Sequence, residues 1–180
     1  MKEVILSLAA SAIQDELYKT KTIDTKALLE RFPKFAEERA TFVTLTLNGQ
    51  LRGCIGSLIA HRSLIDDLIS NAKAAAFDDL RFYPLSPEEF KNIVIEVSLL
   101  SAPEPVSYNS MEDLKAKVSA GEDGIILQCE GRKATFLPQV WEQLPTFELF
   151  FSHLCQKAGL SPNCLEKHPD IWHYRVEKMK

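Results

Sequence analysis

The chain has 180 residues, of which 46% are hydrophobic and 26% are charged, and its net charge at pH 7 is −4. This length and apolar share suffice for the core of one globular domain. The scattered Lys and Arg residues disfavour nucleic acid as a partner, because nucleic-acid binding uses clustered positive charge. No stretch approaches the roughly 18 consecutive apolar residues of a membrane span, so we expect a soluble, cytoplasmic protein.

The chain begins with two predicted helices. Apolar residues recur at helical spacing from Ile5 to Leu17, which predicts an amphipathic helix that covers a sheet. Asp24 then precedes a short second helix that has to end before Pro33, because the residue before a proline disfavours helical geometry.

Residues 41–58 are predicted to form a β-hairpin. The run TFVTLTL alternates apolar and hydroxyl residues, and Asn48-Gly49 is a strong turn signal. A two-residue loop would place Arg52 on the apolar face, so we predict a three-residue loop instead. That register pairs Leu45 with Gly53. The opposite, polar face then carries Thr44, Thr46, Arg52, Cys54 and Gly56.

The second strand of this hairpin contains the run LRGCIGSL, residues 51–58, which combines a thiol, a guanidinium and two glycines. Arg52 and Cys54 are expected about 6–7 Å apart at Cα, and a guanidinium within reach of a thiol favours the thiolate. Gly53 and Gly56 leave room for a ligand or for a second backbone. In the alternative interpretation, Cys54 is a small buried hydrophobe and the glycines mark bulges.

A capped helix and a structured loop are predicted after the hairpin. Ser63 and Asp66 resemble a capping box for a helix that runs to about Phe77. The next segment, FDDLRFYPL, shows no sustained periodicity. We expect Asp79 and Arg81 to pair within it and an aromatic residue, Phe82 or Phe77, to anchor it, because a surface ion pair alone contributes little.

A short helix and a strand follow this loop. The run Ser86-Pro87-Glu88-Glu89 provides an N-cap, a proline at the first helical position and a glutamate at the third. Alternation from Ile93 to Leu100 predicts a strand with one apolar face. Glu96 lies on the other face, as a candidate base or ion-pair partner near Arg52 and Cys54, or as a solvated strand carboxylate.

The remaining sequence predicts a smaller subdomain. The Pro103-Glu104-Pro105 turn marks a boundary, and residues 106–145 are assigned to the subdomain, with a hairpin that turns at Glu130-Gly131. Thr146 caps a final helix. The alternating run 171–176 is predicted to return as a strand of the main sheet.

The cysteines indicate neither a disulfide framework nor a metal site. Four cysteines in a chain of this length are too few for such a framework, so we expect all of them reduced. They are Cys54, Cys129, Cys155 and Cys164. The nearest metal-like pattern is His153 with Cys155, but on a helix these side chains point about 200° apart. We therefore expect no metal and no cofactor.

The run LRGCIGSL resembles the signature of the AMMECR domain family, known in bacteria and archaea as protein A of the AmmeMemoRadiSam system. Further similar runs follow in the family's order: AAAFDDLRFYPLSPEEF (74–90), IVIEVSLLSAPEPV (93–106), DGIILQCEGRKATFLPQVW (123–141) and LCQKAGL (154–160). The resemblance implies an α+β fold, in which an antiparallel β-sheet is flanked by helices, with a smaller subdomain and a cleft beside the signature strand. It also implies a Memo-like protein and a radical SAM protein as partners.

Two functions remain open at this point. As an accessory or binding component, the chain docks a partner protein, a peptide or a small-molecule ligand on the LRGCIGSL strand. As an enzyme, it uses Cys54 as a nucleophile or acceptor in a modification reaction, with Arg52 as the activating cation. The candidate binding residues are Gly53, Gly56, Ser57, Thr44, Asp79, Arg81 and Phe82.

Overall fold

Two four-stranded sheets and six helices form an α+β fold in the computed structural model, which describes residues 1–180. The helices are α1 (Lys2–Tyr18), α2 (Thr25–Arg31), α3 (Leu64–Phe77), α4 (Pro87–Phe90), α5 (Met111–Lys117) and α6 (Phe147–Lys157). The strands are β1 (Thr41–Leu47), β2 (Gln50–Gly56), β3 (Ile93–Leu100), β4 (Glu104–Pro105), β5 (Gly124–Cys129), β6 (Arg132–Phe136), β7 (Asp170–Tyr174) and β8 (Val176–Met179). None of the helices combines the length and apolar character needed to cross a membrane.

The first compact unit comprises Met1–Leu100 and Glu177–Lys180. Its sheet has the strand order β2-β1-β3-β8, and α1 and α3 pack on one face. Val43 and Leu45 of β1 alternate inward and are fully buried against these helices. The predicted amphipathic first helix, the short second helix and the Ser63-capped third helix are confirmed.

The hairpin differs from the prediction in its loop but not in its central register. Asn48 and Gly49 alone form the turn, both with positive φ, so the predicted three-residue loop is wrong. The register then shifts between Leu45 and Thr46, which restores the predicted pair of Leu45 with Gly53. This bulge adds one residue to β2 opposite β1 and has the same effect on the later pairs as a longer loop.

The second compact unit is Ser101–Val176, and its sheet has the order β4-β7-β5-β6. It extends beyond the predicted subdomain of 106–145. The hairpin at Glu130-Gly131 and the helix capped by Thr146 are confirmed. The prediction that 171–176 joins the main sheet is wrong, because β7 pairs with β5 in the second sheet and only β8 belongs to the first.

A disulfide joins Cys155, near the end of α6, to Cys164, so the expectation of four reduced cysteines is wrong. Both sulfur-bearing residues are buried in the core of the second unit. Cys54 and Cys129 are free. The spacing of these two cysteines does not predict the bond. Their side chains meet only because the chain reverses direction between α6 and Cys164.

Removing this disulfide is expected to lower the stability of the second unit. A cross-link restricts the unfolded chain, so the double variant Cys155→Ala/Cys164→Ala should lose about 2 kcal/mol of unfolding free energy. Denaturant unfolding followed by aromatic fluorescence measures the loss. Cys129→Ala, which removes a buried thiol without a cross-link, is the control. Equal losses in both variants would contradict a stabilising disulfide.

Candidate functional site

The signature strand β2 lies at the free edge of the first sheet. Ser57 donates its backbone N–H to the carbonyl of Thr41 at 2.9 Å, and Phe42 stands opposite Gly56. Hydrogen-bonded and non-hydrogen-bonded pairs alternate in an antiparallel ladder. The backbone N–H and C=O groups of Cys54 and Gly56 therefore point away from β1, toward the open edge.

The Cys54 side chain lies on the polar face of the hairpin, as predicted. It stands opposite Thr44, whose Oγ1 is 3.3 Å from the sulfur, whereas Val43 and Leu45 face the helices. Cys54 is half-buried and is not a member of the apolar core. The part of the alternative interpretation that buries Cys54 in the core is therefore wrong, whereas a bulge does lie next to Gly53.

An ion pair from the loop after α3 covers the edge at Cys54. Asp79 Oδ2 accepts the Cys54 backbone N–H at 2.9 Å, and Arg81 Nη2 donates to the Cys54 carbonyl at 3.3 Å. Arg81 also donates to both Asp79 oxygens, at 2.9 and 2.7 Å. These bonds, those from Arg81 first, hold the pKa of Asp79 well below its ordinary value. The predicted Asp79–Arg81 pair is confirmed.

Arg52 binds the end of the same loop and the following helix α4. Its Nε and Nη2 donate to the two carboxylate oxygens of Glu89 at 2.8 and 2.9 Å, and Nη2 also donates to the carbonyl of Tyr83. The guanidinium lies 5.7 Å from the ring centre of Phe82, and that of Arg81 lies 5.5 Å from it. Both guanidinium groups thus lie within cation–π distance of the Phe82 ring, whose face attracts positive charge.

Glu96 does not lie beside Arg52 and Cys54, contrary to the prediction. Glu96 stands opposite Thr44 on β3, so β1 lies between Glu96 and Cys54, and Glu96 forms no ion pair with Arg52. The carboxylate partner of Arg52 is Glu89. The guanidinium bonded to Cys54 is that of Arg81, and it contacts the backbone.

Sequence analysis missed Glu89 as a site residue, although it identified the capping box that positions it. Ser86 and Glu89 form that box at the start of α4: Ser86 N–H donates to Glu89 Oε2 at 3.0 Å, and Glu89 N–H donates back to Ser86 Oγ. The same carboxylate then binds Arg52. The capping box therefore fixes the carboxylate that holds the signature strand.

The Arg52–Glu89 pair is expected to make stability depend on pH in acid. Hydrogen bonds from Arg52, then from Ser86, lower the pKa of Glu89 from 4.5 to about 2. Because the folded-state pKa is depressed, this stabilisation is present above pH 4.5 and is lost as the pH falls toward 2. The midpoint of thermal unfolding of Glu89→Gln should therefore fall below that of the parent chain near neutral pH and converge with it near pH 2.

The neighbouring Glu88→Gln variant is the control for this titration, because Glu88 is 83% exposed and pairs only with Lys91. Its unfolding midpoint should follow that of the parent chain throughout the acid range. A Glu89→Gln variant that also does so would contradict a stabilising contact between Glu89 and Arg52.

The two signature glycines are explained by packing. A Cβ at Gly53 would lie 2.0 Å from the backbone oxygen of Ala75 in α3. A Cβ at Gly56 would lie 2.3 Å from the ring of Phe42 on β1. The predicted room for a second backbone is therefore used at Gly53 by α3 itself.

Ser57, at the end of the signature, belongs to a buried polar network. Its Oγ donates to Asp67 at 2.7 Å, and Asp67 is fully buried in the first turn of α3. Asp67 also accepts from the backbone N–H and hydroxyl of Thr41, from Arg62 and from Asn71. This network ties β1, the end of β2 and α3 together.

Exposed apolar side chains surround the capped edge. Leu80 is fully exposed between the two members of the ion pair, and Tyr83 is 89% exposed. Leu51, at the start of the signature, and Leu58 and Ile59, just beyond β2, are also exposed. Half of the large exposed hydrophobic residues of the chain thus lie on β2, on its continuation or on the loop that caps it.

Comparison with known proteins identifies relatives over nearly the whole chain. A family model described as AMMECR1 matches residues 6–179. A protein from Methanothermobacter thermautotrophicus is 38% identical, covering 96% of this chain and 89% of its own length. A protein from Methanosarcina mazei is 36% identical, with 97% and 88% covered. The crystal structure of the uncharacterized protein PH0010 from Pyrococcus horikoshii superposes with a TM-score of 0.78 at 33% identity, covering 98% of this chain and 89% of that one.

Proposed function

The chain belongs to the AMMECR1 family, and we propose that it is a docking component of a cytoplasmic system that includes a Memo-like protein and a radical SAM protein. The docking surface comprises β2, its continuation to Ile59 and the loop of residues 78–83, here named the clamped loop. The observation that carries the proposal is the exposure of Leu80 and Tyr83 on a loop held at both ends.

Rigid presentation of apolar side chains is a property of binding surfaces. Leu80 lies between Asp79 and Arg81, which bind the Cys54 backbone, and the carbonyl of Tyr83 accepts from Arg52. A loop that is ordered before binding loses little entropy when the partner docks. Exposed aromatic and aliphatic residues on such a loop supply the apolar centre of an interface.

A second candidate function is thiol chemistry at Cys54. The half-buried sulfur contacts the Thr44 hydroxyl, and the Arg81 guanidinium donates to the carbonyl of the same residue. In this function Cys54 is the nucleophile or acceptor of a modification reaction, and Arg81 replaces Arg52 as the nearby cation.

Direct binding tests the docking function. We expect the Memo-like protein from the same organism to bind the purified chain in a calorimetric titration. Leu80→Ser/Tyr83→Ser should weaken that binding by about 100-fold, because both side chains lose their apolar contacts. Leu149→Ser, at a residue on α6 that is 45% exposed, is the control and should bind like the parent chain. If the double variant binds as tightly as the parent chain, the clamped loop is not part of the interface.

Replacement of Cys54 by serine separates the two functions. Serine is close to cysteine in size, so docking should be retained in Cys54→Ser. Activity that requires a nucleophilic sulfur should be lost, because the serine hydroxyl is not ionised near neutral pH.

A further inference from the structure

The free edge of β2 has the polar groups needed to pair with another strand. Cys54 and Gly56 direct their backbone N–H and C=O groups away from β1, and no strand neighbours β2 on that side. Exposed strand edges pair readily with other extended chains, and many proteins cover them with charged side chains or loops. Asp79 and Arg81 cover the edge of β2 in this way, because their charged side chains bind the Cys54 backbone.

The ion pair occupies the two positions that a neighbouring strand would take at Cys54. Asp79 supplies the acceptor for the Cys54 N–H, and Arg81 supplies the donor for the Cys54 carbonyl. We propose that Asp79 and Arg81 form a cap that prevents β2 from pairing with β2 of a second copy of this chain. The proposal is independent of the docking partner.

A second copy fits this edge because the edge is complementary to itself. In an antiparallel pair about a two-fold axis at Ile55, Cys54 of one copy stands opposite Gly56 of the other. Both residues then exchange N–H and C=O hydrogen bonds, since their groups point outward. Leu58, exposed just beyond the strand, adds apolar surface beside the pair.

The same geometry places two thiols within reach of each other. Cys54 of each copy lies diagonally across from Cys54 of the other, on one face of the joined sheet, at about 7–8 Å. The other free cysteine, Cys129, is buried in the second unit. A short bifunctional thiol reagent therefore reports on edge-to-edge pairing through Cys54 specifically.

The test compares cross-linking in the parent chain and in Asp79→Ala/Arg81→Ala. Intact mass spectrometry measures the Cys54–Cys54 dimer, and sedimentation velocity measures the mass in solution without reagent. We expect the uncapped variant to give at least about tenfold more cross-linked dimer and to show a concentration-dependent association that the parent lacks. Leu58→Lys in the uncapped background should reverse both effects, because a charge on an edge opposes pairing.

Two controls make the outcome decisive. Asp113→Ala/Lys117→Ala removes an exposed ion pair from α5 and should behave as the parent chain does. If the double variant proves unstable, Arg81→Ala is tested in its place. That side chain is 56% exposed, and its removal still frees the Cys54 carbonyl. If the uncapped variant is folded but shows the same cross-linking and the same mass in solution as the parent chain, the proposal that Asp79 and Arg81 form a cap is wrong. Loss of partner binding in the uncapped variant bears only on the docking proposal, because the cap is judged by cross-linking and by mass in solution.

Discussion

An Asp67→Ala variant should lose about 3–5 kcal/mol of unfolding free energy. The carboxylate is fully buried and accepts hydrogen bonds from Thr41, Ser57, Arg62 and Asn71. Removing it leaves the Thr41 and Ser57 donors without this acceptor and leaves the Arg62 guanidinium without its counter-charge, which costs more than the lost contacts alone. Urea unfolding followed by circular dichroism measures the change.

The adjacent residue on the same helix provides the matched control. Asp66 is exposed, and its side chain accepts a hydrogen bond from the Ser63 hydroxyl. Asp66→Ala should cost less than about 1 kcal/mol, the usual contribution of an exposed acid in a first helical turn. If both variants lose the same free energy, the Asp67 network does not hold α3 to the strands.

Local rules predicted most elements of the fold because the signals lie within a few residues of one another. Asn48-Gly49 indicated the first hairpin, and Glu130-Gly131 indicated the second. Ser63 and Ser86 correctly located two helix starts. Alternation also assigned Cys54 to the polar face, although the bulge that produces this register was not predicted.

Contacts between different helices and strands could not be predicted from the sequence by these local rules. The sequence offered Glu96 as a carboxylate near Arg52, because both lie on strands with polar faces. The structure brings Glu89 to Arg52 instead, because α4 and the clamped loop lie beside the outer edge of β2 and β3 lies beyond β1. The pairing of Cys155 with Cys164 likewise depends on how the chain reverses after α6.

Each residue of the signature therefore contacts a different part of the first unit. Arg52 holds the clamped loop through Tyr83 and α4 through Glu89, and Ser57 joins the network of Asp67. Gly53 admits α3. These contacts fix the edge of β2 relative to the helix and the loop. The side chains that remain exposed at that edge are the apolar ones of β2, of its continuation and of the clamped loop.

Gly53→Ala is expected to destabilise the first unit by about 3 kcal/mol, at the upper end of overpacking effects. The added Cβ would lie 2.0 Å from the backbone oxygen of Ala75, which cannot rotate away as a side chain would. Either β2 or α3 has to move. Because Cys54 follows Gly53, a shift of β2 should also lengthen the hydrogen bond from Cys54 to Asp79 and increase amide exchange at Cys54.

Gly49→Ala distinguishes this steric effect from the general cost of replacing glycine. Gly49 has a φ of +79° and nothing within 4 Å of its added Cβ, so the same methyl group should cost only about 1 kcal/mol through backbone strain. Amide exchange at Cys54 should not change in that variant. If the two substitutions cost the same and Cys54 exchanges equally in both, then close packing on α3 is not the reason for glycine at position 53.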